Sequence, residues 1–285
     1  MPAAADIRPM TPADVAAAEA VARTVLWEGH AGAAEPETVA RGVRRVAHLQ
    51  RTDPGGAWVA EADGALVGMA LALVREGIWG LSLFAVARDH QSRGIGRELL
   101  EAAFGHGAGA RGHLILSSES PAAMRRYARL GLELRPCVAA AGIVDRTRLP
   151  ADDGVVDAGL DGIPVADAIG RAVRGAGHGV DLEIAVDDPG ARLLLYEDRA
   201  FALVRKDRIS LVAGLDDPAA TRALNAALAA LPPGASASVD FLTAGQDWAV
   251  RACLDAGLAL SPDGPFFTGG DLGPMRPYVP SGAYL

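Results

Sequence analysis

Residues 81–96, LSLFAVARDHQSRGIG, constrain the fold of this chain more than any other stretch. An apolar run rich in strand formers, residues 81–86, breaks at the charged pair Arg88-Asp89. It then passes through Gln91-Ser92-Arg93-Gly94-Ile95-Gly96 and opens into a helical run over residues 97–104. A strand that enters a helix through a turn with two glycines is a ready anion site. The first amides of a helix have no partner within it and sit at the positive end of its dipole. Gly94 and Gly96 allow close backbone approach and backbone angles that a side chain forbids. A tight connection alone would explain the glycines. It would not explain Arg93 and Arg97, whose charges oppose the helix dipole unless an anion lies between them. The segment predicts a pyrophosphate grip.

The residues around it alternate between strand and helix patterns. Residues 6–8 read as a short strand. Thr11-Pro12-Ala13-Asp14 reads as a helix start, with a Thr cap and Pro at the first helical position, running to about Leu26. A second helix over roughly residues 37–51 ends at Asp53-Pro54-Gly55-Gly56. Residues 57–61 and 65–74, joined by Ala62-Asp63-Gly64, form a predicted hairpin, and residues 78–86 extend it to a meander. Trp58 and Trp79 are read as core on neighbouring strands. Residues 113–117 predict another strand, Ser120-Pro121 a helix start, Gly131 its C-cap, and residues 132–138 a further strand.

A chain of 285 residues accommodates two cores. Residues 145–165 are rich in Asp, Gly and Pro and mark a domain boundary, which predicts domains over 1–145 and 166–285 with 146–165 as linker and start of the second. The later part echoes the earlier. Ala123-Met124-Arg125 before Gly131-Leu132-Glu133-Leu134 matches Ala249-Val250-Arg251 before Gly257-Leu258-Ala259-Leu260, at an offset of 249 − 123 = 126. Arg97-Glu98-Leu99 stands opposite Arg222-Ala223-Leu224, and residues 114–116 opposite 239–241, at an offset of 125. Three segments in one order predict a duplicated domain. The echo fails at the anion turn, where the second half has Asp216-Asp217-Pro218-Ala219-Ala220-Thr221. Two carboxylates would there face a pyrophosphate, at about 1 kcal/mol each even in a water-like dielectric. Opposite Tyr127 stands Cys253.

These residues carry a family resemblance. Gln91-x-x-Gly94-x-Gly96 resembles the acyl-CoA-binding signature of the GNAT superfamily of N-acetyltransferases. The segment from Ser120 through Tyr127 to Gly131-Leu132 resembles that superfamily's later helix, with Ser in place of its usual Asn and Leu in place of Phe. The resemblance covers roughly residues 6–140, and the second half resembles the degenerate partner of tandem GNAT proteins. It implies an α/β (α+β) fold of two GNAT-like domains, each a mixed, mostly antiparallel sheet flanked by helices. It implies direct ternary-complex transfer of an acetyl group from acetyl-CoA, as cosubstrate, to a primary amine of a small molecule. Phe84, Ala85 and Val86 would pair with the pantetheine arm and polarise the thioester carbonyl. Gln91, Ser92, Arg93, Gly94, Ile95, Gly96 and Arg97 would hold the pyrophosphate, and Ser120 would contact the cofactor or simply cap its helix. Tyr127 would hydrogen-bond the departing sulfur. A phenol is a weaker acid than a thiol, so complete proton transfer would be uphill by about 2 kcal/mol. Ala123, Tyr127 and Leu130 share a helical face, so a packing tyrosine is the competing reading.

An amine must also lose a proton before attack, and Glu28, Glu76, Ser82 and Glu119 are candidate bases. His90 reads as a loop residue, and Trp27 could line an acceptor pocket. The segment over residues 276–285 could pack into a cleft and bring Leu285 to the active site, or merely seal the second domain.

The net charge of −8 and the lack of a basic run argue against nucleic acid as the main partner. Two distant cysteines, Cys137 and Cys253, read as reduced structural thiols, and the six histidines fall at no metal-ligand spacing, so no metal is expected. No secretory signal pattern and no membrane-length apolar run is present, which predicts a soluble cytoplasmic protein, with a homodimer as its candidate assembly. The alternative to the enzyme is a non-catalytic acyl-CoA-binding regulatory module, which would keep the glycine turn and need no amine site.

Overall fold

The structure is a computed structural model that describes residues 5–27, 35–151, 154–206 and 208–285. It divides into two compact units, Met1–Ala110 and Arg111–Leu285. Among the described residues no helix is long and apolar enough to cross a membrane.

The first unit is an antiparallel meander with helices packed on it. β1 (Asp6–Pro9) pairs with β2 (Ala57–Ala62), β2 with β3 (Ala65–Arg75), and β3 with β4 (Ile78–Val86). α1 (Val15–Leu26), α2 (Pro36–Thr52) and α3 (Ile95–Gly105) all pack on β3. Val59, Met69, Leu71, Leu73, Trp79, Leu49 and Leu99 form the buried interior. At Gly68 a side chain would put its Cβ 2.9 Å from Leu99 Cδ1, so a bare backbone lets α3 seat on the sheet. Trp79 is fully buried, its indole donating to Ala103 O at 3.1 Å. Trp58 is only half-buried, and β3 separates its strand from that of Trp79, so the two are not neighbours in one core.

The start of α1 carries the expected Thr cap on a short 3-10 turn, Pro12–Asp14, where Thr11 and Asp14 form a capping box. The Thr11 hydroxyl also donates to Asp14 at 2.7 Å. Asp14 also accepts the Thr11 N–H at 2.8 Å and both terminal nitrogens of Arg8, at 2.8 and 2.9 Å. The Arg8 hydrogen bonds hold the Asp14 carboxyl well below the usual carboxylate range. A buried carboxylate, Asp53, ties α2 to β3. It accepts from the Val74 amide at 2.9 Å, Thr52 Oγ1 at 2.7 Å, Arg75 Nη1 at 3.0 Å and the His106 ring at 3.2 Å. Burial would raise its pKa, but these donors outweigh burial and lower it.

The second unit begins with β5 (Gly112–Leu116), α4 (Pro121–Arg129) and β6 (Glu133–Ile143). There follow β7 (Val155–Asp157), α5 (Ile163–Val173), α6 (Val180–Val186), β8 (Ala191–Tyr196), β9 (Ala200–Arg205), β10 (Arg208–Gly214) and α7 (Asp217–Ala230). β11 (Ser236–Thr243), α8 (Asp247–Asp255), β12 (Ala259–Gly270) and β13 (Tyr278–Val279) complete it. The strand order is β5-β12-β6-β11-β10-β9-β8-β7, with β13 on β10. β10 and β11 are parallel, and the other pairs described in this unit are antiparallel. The alanine-rich α7 lies on β8, β9 and β10, burying Leu224 and Leu228.

Two strand pairings explain why residues 111–145 group with the later residues of the chain. β12 lies between β5 and β6, and β6 lies between β12 and β11. Segment β5–α4–β6 and segment β11–α8–β12 thus each place a final strand inside the other. Cys137 of β6 stands opposite Asp263 of β12, and 263 − 137 = 126, the offset of the sequence echo. Both cysteines are buried and free.

Two outcomes are expected from these contacts. Asp53→Ala should lower unfolding stability by about 3 kcal/mol in chemical denaturation, because it leaves Arg75 without its buried partner. Because the folded Asp53 pKa is depressed, its contribution is present above the unfolded carboxylate pKa of about 4 and is lost as pH falls through the folded value. A chain ended at residue 150 lacks β12, so β5 and β6 have no strand between them. It should be insoluble or lack cooperative thermal unfolding, where a self-sufficient early half would melt cooperatively.

Candidate active site

The anion turn forms as a distorted strand-to-helix connection. After Val86 the chain makes a 3-10 turn, Arg88–His90, absent from the sequence expectation, and then reverses its backbone hand twice. Ser92 has φ 64° and Gly94 φ 94°, both left-handed. For Ser92 this geometry costs about 1 kcal/mol or more, whereas Gly94 adopts it without a Cβ penalty. Gly94 is the N-cap of α3, and Arg97 N and Glu98 N donate to its carbonyl at 2.8 and 3.2 Å. The amides of Ser92, Arg93, Gly94, Ile95 and Gly96 donate to no protein acceptor among the described residues. Ile95 and Gly96 are buried while Ser92 and Arg93 are exposed, so the free donors run from the helix start to the surface.

Gln91 is engaged elsewhere. Its side-chain nitrogen donates to Val86 O at 2.9 Å, tying the turn to the end of β4. It therefore braces the loop, and the backbone beyond it offers the donors. Arg97 is exposed and makes only a loose pair with Glu101 at 3.9 Å, leaving its charge open to solvent. His90 pairs with Asp89 at 2.9 Å, and that hydrogen bond lowers the Asp89 pKa. On β4, Ala85 and Val86 are buried and Phe84 half-buried. The backbone of Val86 lies opposite Gly68, and Ala87 N donates to Val67 O at 2.8 Å.

The candidate bases fare unequally. Glu76 lies in the β3–β4 turn, eight strand residues and therefore about 26 Å from Phe84, too far to serve chemistry at that end of β4. Ser82 is buried, and its hydroxyl accepts from Arg45 Nε at 3.1 Å and Nη2 at 2.8 Å. That clamp across α2 and β4 was not legible in the sequence, since the two residues are 37 apart. Glu28 lies outside the described residues. Trp27, at the end of α1, is exposed. A cleft of about 830 Å³ opens elsewhere in this unit, along α1, the β2–β3 turn and residues 87–89. Arg8, Asp14 and Glu61, its principal charges, are already paired with one another.

The remaining predicted residues belong to the second unit. Ser120 caps α4, accepting from Ala123 N at 3.5 Å, as its cap reading requires. Glu119 is exposed beside it. Tyr127 is buried and meets Phe267 edge-on, with ring centroids 5.5 Å apart. Burial pushes its phenol pKa well above the ordinary tyrosine value. In the position echoing Tyr127, Cys253 is fully buried, with its thiol pushed up to about 12.

Residues 24–132, which include the turn, match the model of the acetyltransferase (GNAT) family. No curated protein matches the chain. Among solved structures, a presumed acetyltransferase from Pyrococcus horikoshii is similar over 99% of this chain and 96% of its own, with a TM-score of 0.81 and 18% identity. A GCN5-related N-acetyltransferase from Sphaerobacter thermophilus is similar over 98% of both chains, at a TM-score of 0.55 and 16% identity. One from Kribbella flavida is similar over 93% of this chain and 72% of its own, at 0.60 and 14%. At these identities the likeness is one of fold.

Gly94→Ala forces a side chain into the left-handed region and should shift the amides at the start of α3. If each displaced amide loses a charge-assisted hydrogen bond of about 1.5 kcal/mol, affinity for a diphosphate ligand at this turn should fall about tenfold or more. Calorimetric titration checks the affinity, and circular dichroism should show the helix content retained.

Proposed function

We propose that this chain transfers an acetyl group from acetyl-CoA directly to a primary amine of a small molecule, within one ternary complex. The observation that carries the reading is the run of five amides, residues 92–96, without protein acceptors among the described residues, leading into a helix N-terminus, with Arg93 within the run and Arg97 just after it. Donors of this kind suit a pyrophosphate, because partial positive charge and unpaired N–H groups coincide there. When bound, acetyl-CoA supplies an activated acyl group as a thioester. Residues 92–96 would hold its diphosphate through the backbone, with Arg97 adding charge from solvent. Phe84, Ala85 and Val86 would offer strand backbone to its arm. Gln91 keeps the turn in register with that strand. Holding acyl donor and amine together supplies much of the rate by itself.

Tyr127 is proposed to assist departure of the thiol. Its raised pKa makes it a hydrogen-bond donor to a forming thiolate rather than a full proton donor. Ser120 is fixed as a helix cap and is left with an exposed side that could meet the cofactor.

The chain is further proposed to be a duplication, with a catalytic early half and a degenerate late half. The shared offset of 126 in sequence and at the Cys137–Asp263 pair supports it. In this reading the repeats exchange their last strands, so the repeat boundary near residues 146–165 and the compact-unit boundary at Ala110 need not coincide. The late half lacks the grip: Asp216 caps α7, accepting from Ala219 N at 2.8 Å and pairing with Arg199, where a cofactor anion would otherwise lie.

A thiol-release assay over a panel of small amines tests the activity; binding of acetyl-CoA without turnover on any amine would favour a regulatory module instead. Arg97→Ala should raise the KM for acetyl-CoA several-fold with kcat little changed. Tyr127→Phe should lower kcat about a hundredfold or more if the hydroxyl acts in the transition state, and parental activity would remove that role.

A further inference from the structure

Within the second unit, β10 changes partner along its length. β9 covers one edge throughout, from Arg208↔Arg205 to Gly214↔Ala200. On the other edge the parallel β11 reaches only Arg208↔Ser238 and Ile209↔Val239. Beyond that point Val212 and Ala213 pair with Val279 and Tyr278 of β13, and Gly214 N donates to Pro277 O at 3.3 Å. β11 has turned away by then. Phe241 sits at φ 58°, its N–H goes to the Asp263 carboxylate at 2.9 Å, and the register of β11 on β6 slips between Val239 and Leu242. The two parallel strands part like a wedge, and residues 276–285 lie in the opening.

The inserted segment is held on both sides. Gln246, between β11 and α8, donates to Met275 O at 2.8 Å and accepts from Tyr278 N at 3.2 Å. Its amide oxygen is fixed in turn by the Trp248 indole at 2.7 Å. Arg174 and His178, from the α5–α6 connection, reach Leu285 O at 2.7 and 2.8 Å, and the Tyr278 hydroxyl donates to the same oxygen at 2.7 Å. Arg174, His178, Tyr278 and Leu285 are each 1% exposed, so these contacts are made away from water. At the near end Arg276 pairs with Asp217 at 3.1 Å, on the first residue of α7.

We infer that residues 276–285 are a built-in strand ligand that permanently fills, in the late half, the slot corresponding to the one the acyl-CoA arm takes beside β4, so that each chain binds a single acyl-CoA. The inference rests on the proposed reading of β4 and the turn after it. β10 runs into α7 as β4 runs into α3, and each unmet need of the late half is met from within the chain. The Asp216 carboxylate supplies the anion at the helix start, and β13 supplies the strand partner along β10. Strand addition to an open edge is a general mode of recognition, with main-chain bonds giving affinity and side-chain pockets giving selectivity. Here the pockets hold Tyr278 and Leu285.

The test has two readouts. A chain ended after Met275 is titrated with a synthetic peptide of residues 276–285. The peptide should bind one per chain, raise the melting temperature, and slow Gly214 amide exchange at least tenfold, while a scrambled peptide does none of these. Exchange at Gly214 equal in the shortened and intact chains, or a folded shortened chain indifferent to the peptide, would overturn the inference. Should the shortened chain fail to fold, Gln246→Ala in the full chain decides: Tyr278 and Gly214 amides should exchange at least tenfold faster with Leu203 unchanged, and unaltered exchange counts against the strand. Acetyl-CoA titrated into the intact chain should bind with one equivalent. Two equivalents overturn the inference. No binding at all rejects the reading of the early half and with it the correspondence of the slots, a failure that leaves the peptide result intact and so can be told apart.

Discussion

A backbone amide or carbonyl taken out of water needs a partner, and that requirement organises this molecule at its two helix starts and along its parted strands. At the start of α3 the requirement is left open: five successive amides, residues 92–96, have no protein acceptor among the described residues. At the start of α7 it is closed by the Asp216 carboxylate. The difference is one of composition. Glycine at 94 allows the left-handed turn without offering a cap of its own, whereas Asp216 brings an anion with the chain. A helix N-terminus that carries its own carboxylate has little to gain from a phosphate, since the two would repel in the same few ångströms.

The elements that define the early fold were legible because they rest on local pattern. The meander over β2, β3 and β4 follows from alternating apolar runs broken by Asp63-Gly64 and Glu76-Gly77, and α3 follows from its periodicity. The features that stayed hidden depend on partners distant in sequence. Gln91 looks like a ligand residue until its side chain is seen on Val86 O. Thr11 caps its turn as its identity requires, yet no local pattern shows that Arg8 binds the Asp14 of that cap. Trp58 and Trp79 look alike in sequence, but Trp79 is fully buried and donates to a carbonyl of α3, whereas Trp58 is only half-buried. β12 was the least readable element, because Ser261-Pro262-Asp263-Gly264-Pro265 has the composition of a loop. A register shift between Asp263 and Phe266 accommodates these residues, and paired neighbours on both edges hold the rest as strand.

The site was legible in the same uneven way. The glycine turn could be read because its chemistry is carried by backbone, and backbone geometry is written in glycine positions. The side chains that would choose an acceptor could not, because no local spacing marks them. Arg45 illustrates the point: it lies in an ordinary amphipathic helix, yet it clamps the hydroxyl of Ser82 on the strand proposed to carry the acyl donor. A residue proposed as a base thereby becomes part of the wall.

The late half, though without a grip, is not an appendage. β12 stands between β5 and β6, so the early segment β5–α4–β6 has no continuous sheet of its own without a strand from residues 259–270. In the proposed reading, loss of a cofactor slot is compatible with retention of that strand, provided the edge of β10 is covered; an open edge with unpaired N–H and C=O groups invites association with other chains. The segment over residues 276–285 covers it with main-chain bonds on one side and Gln246 on the other. The same physical demand that leaves α3 open to a diphosphate therefore explains why the end of this sequence is buried among Arg174, His178 and Tyr278. In the proposed reading, a slot that takes no ligand still has backbone to satisfy, and a strand from the same chain satisfies it without dependence on ligand concentration.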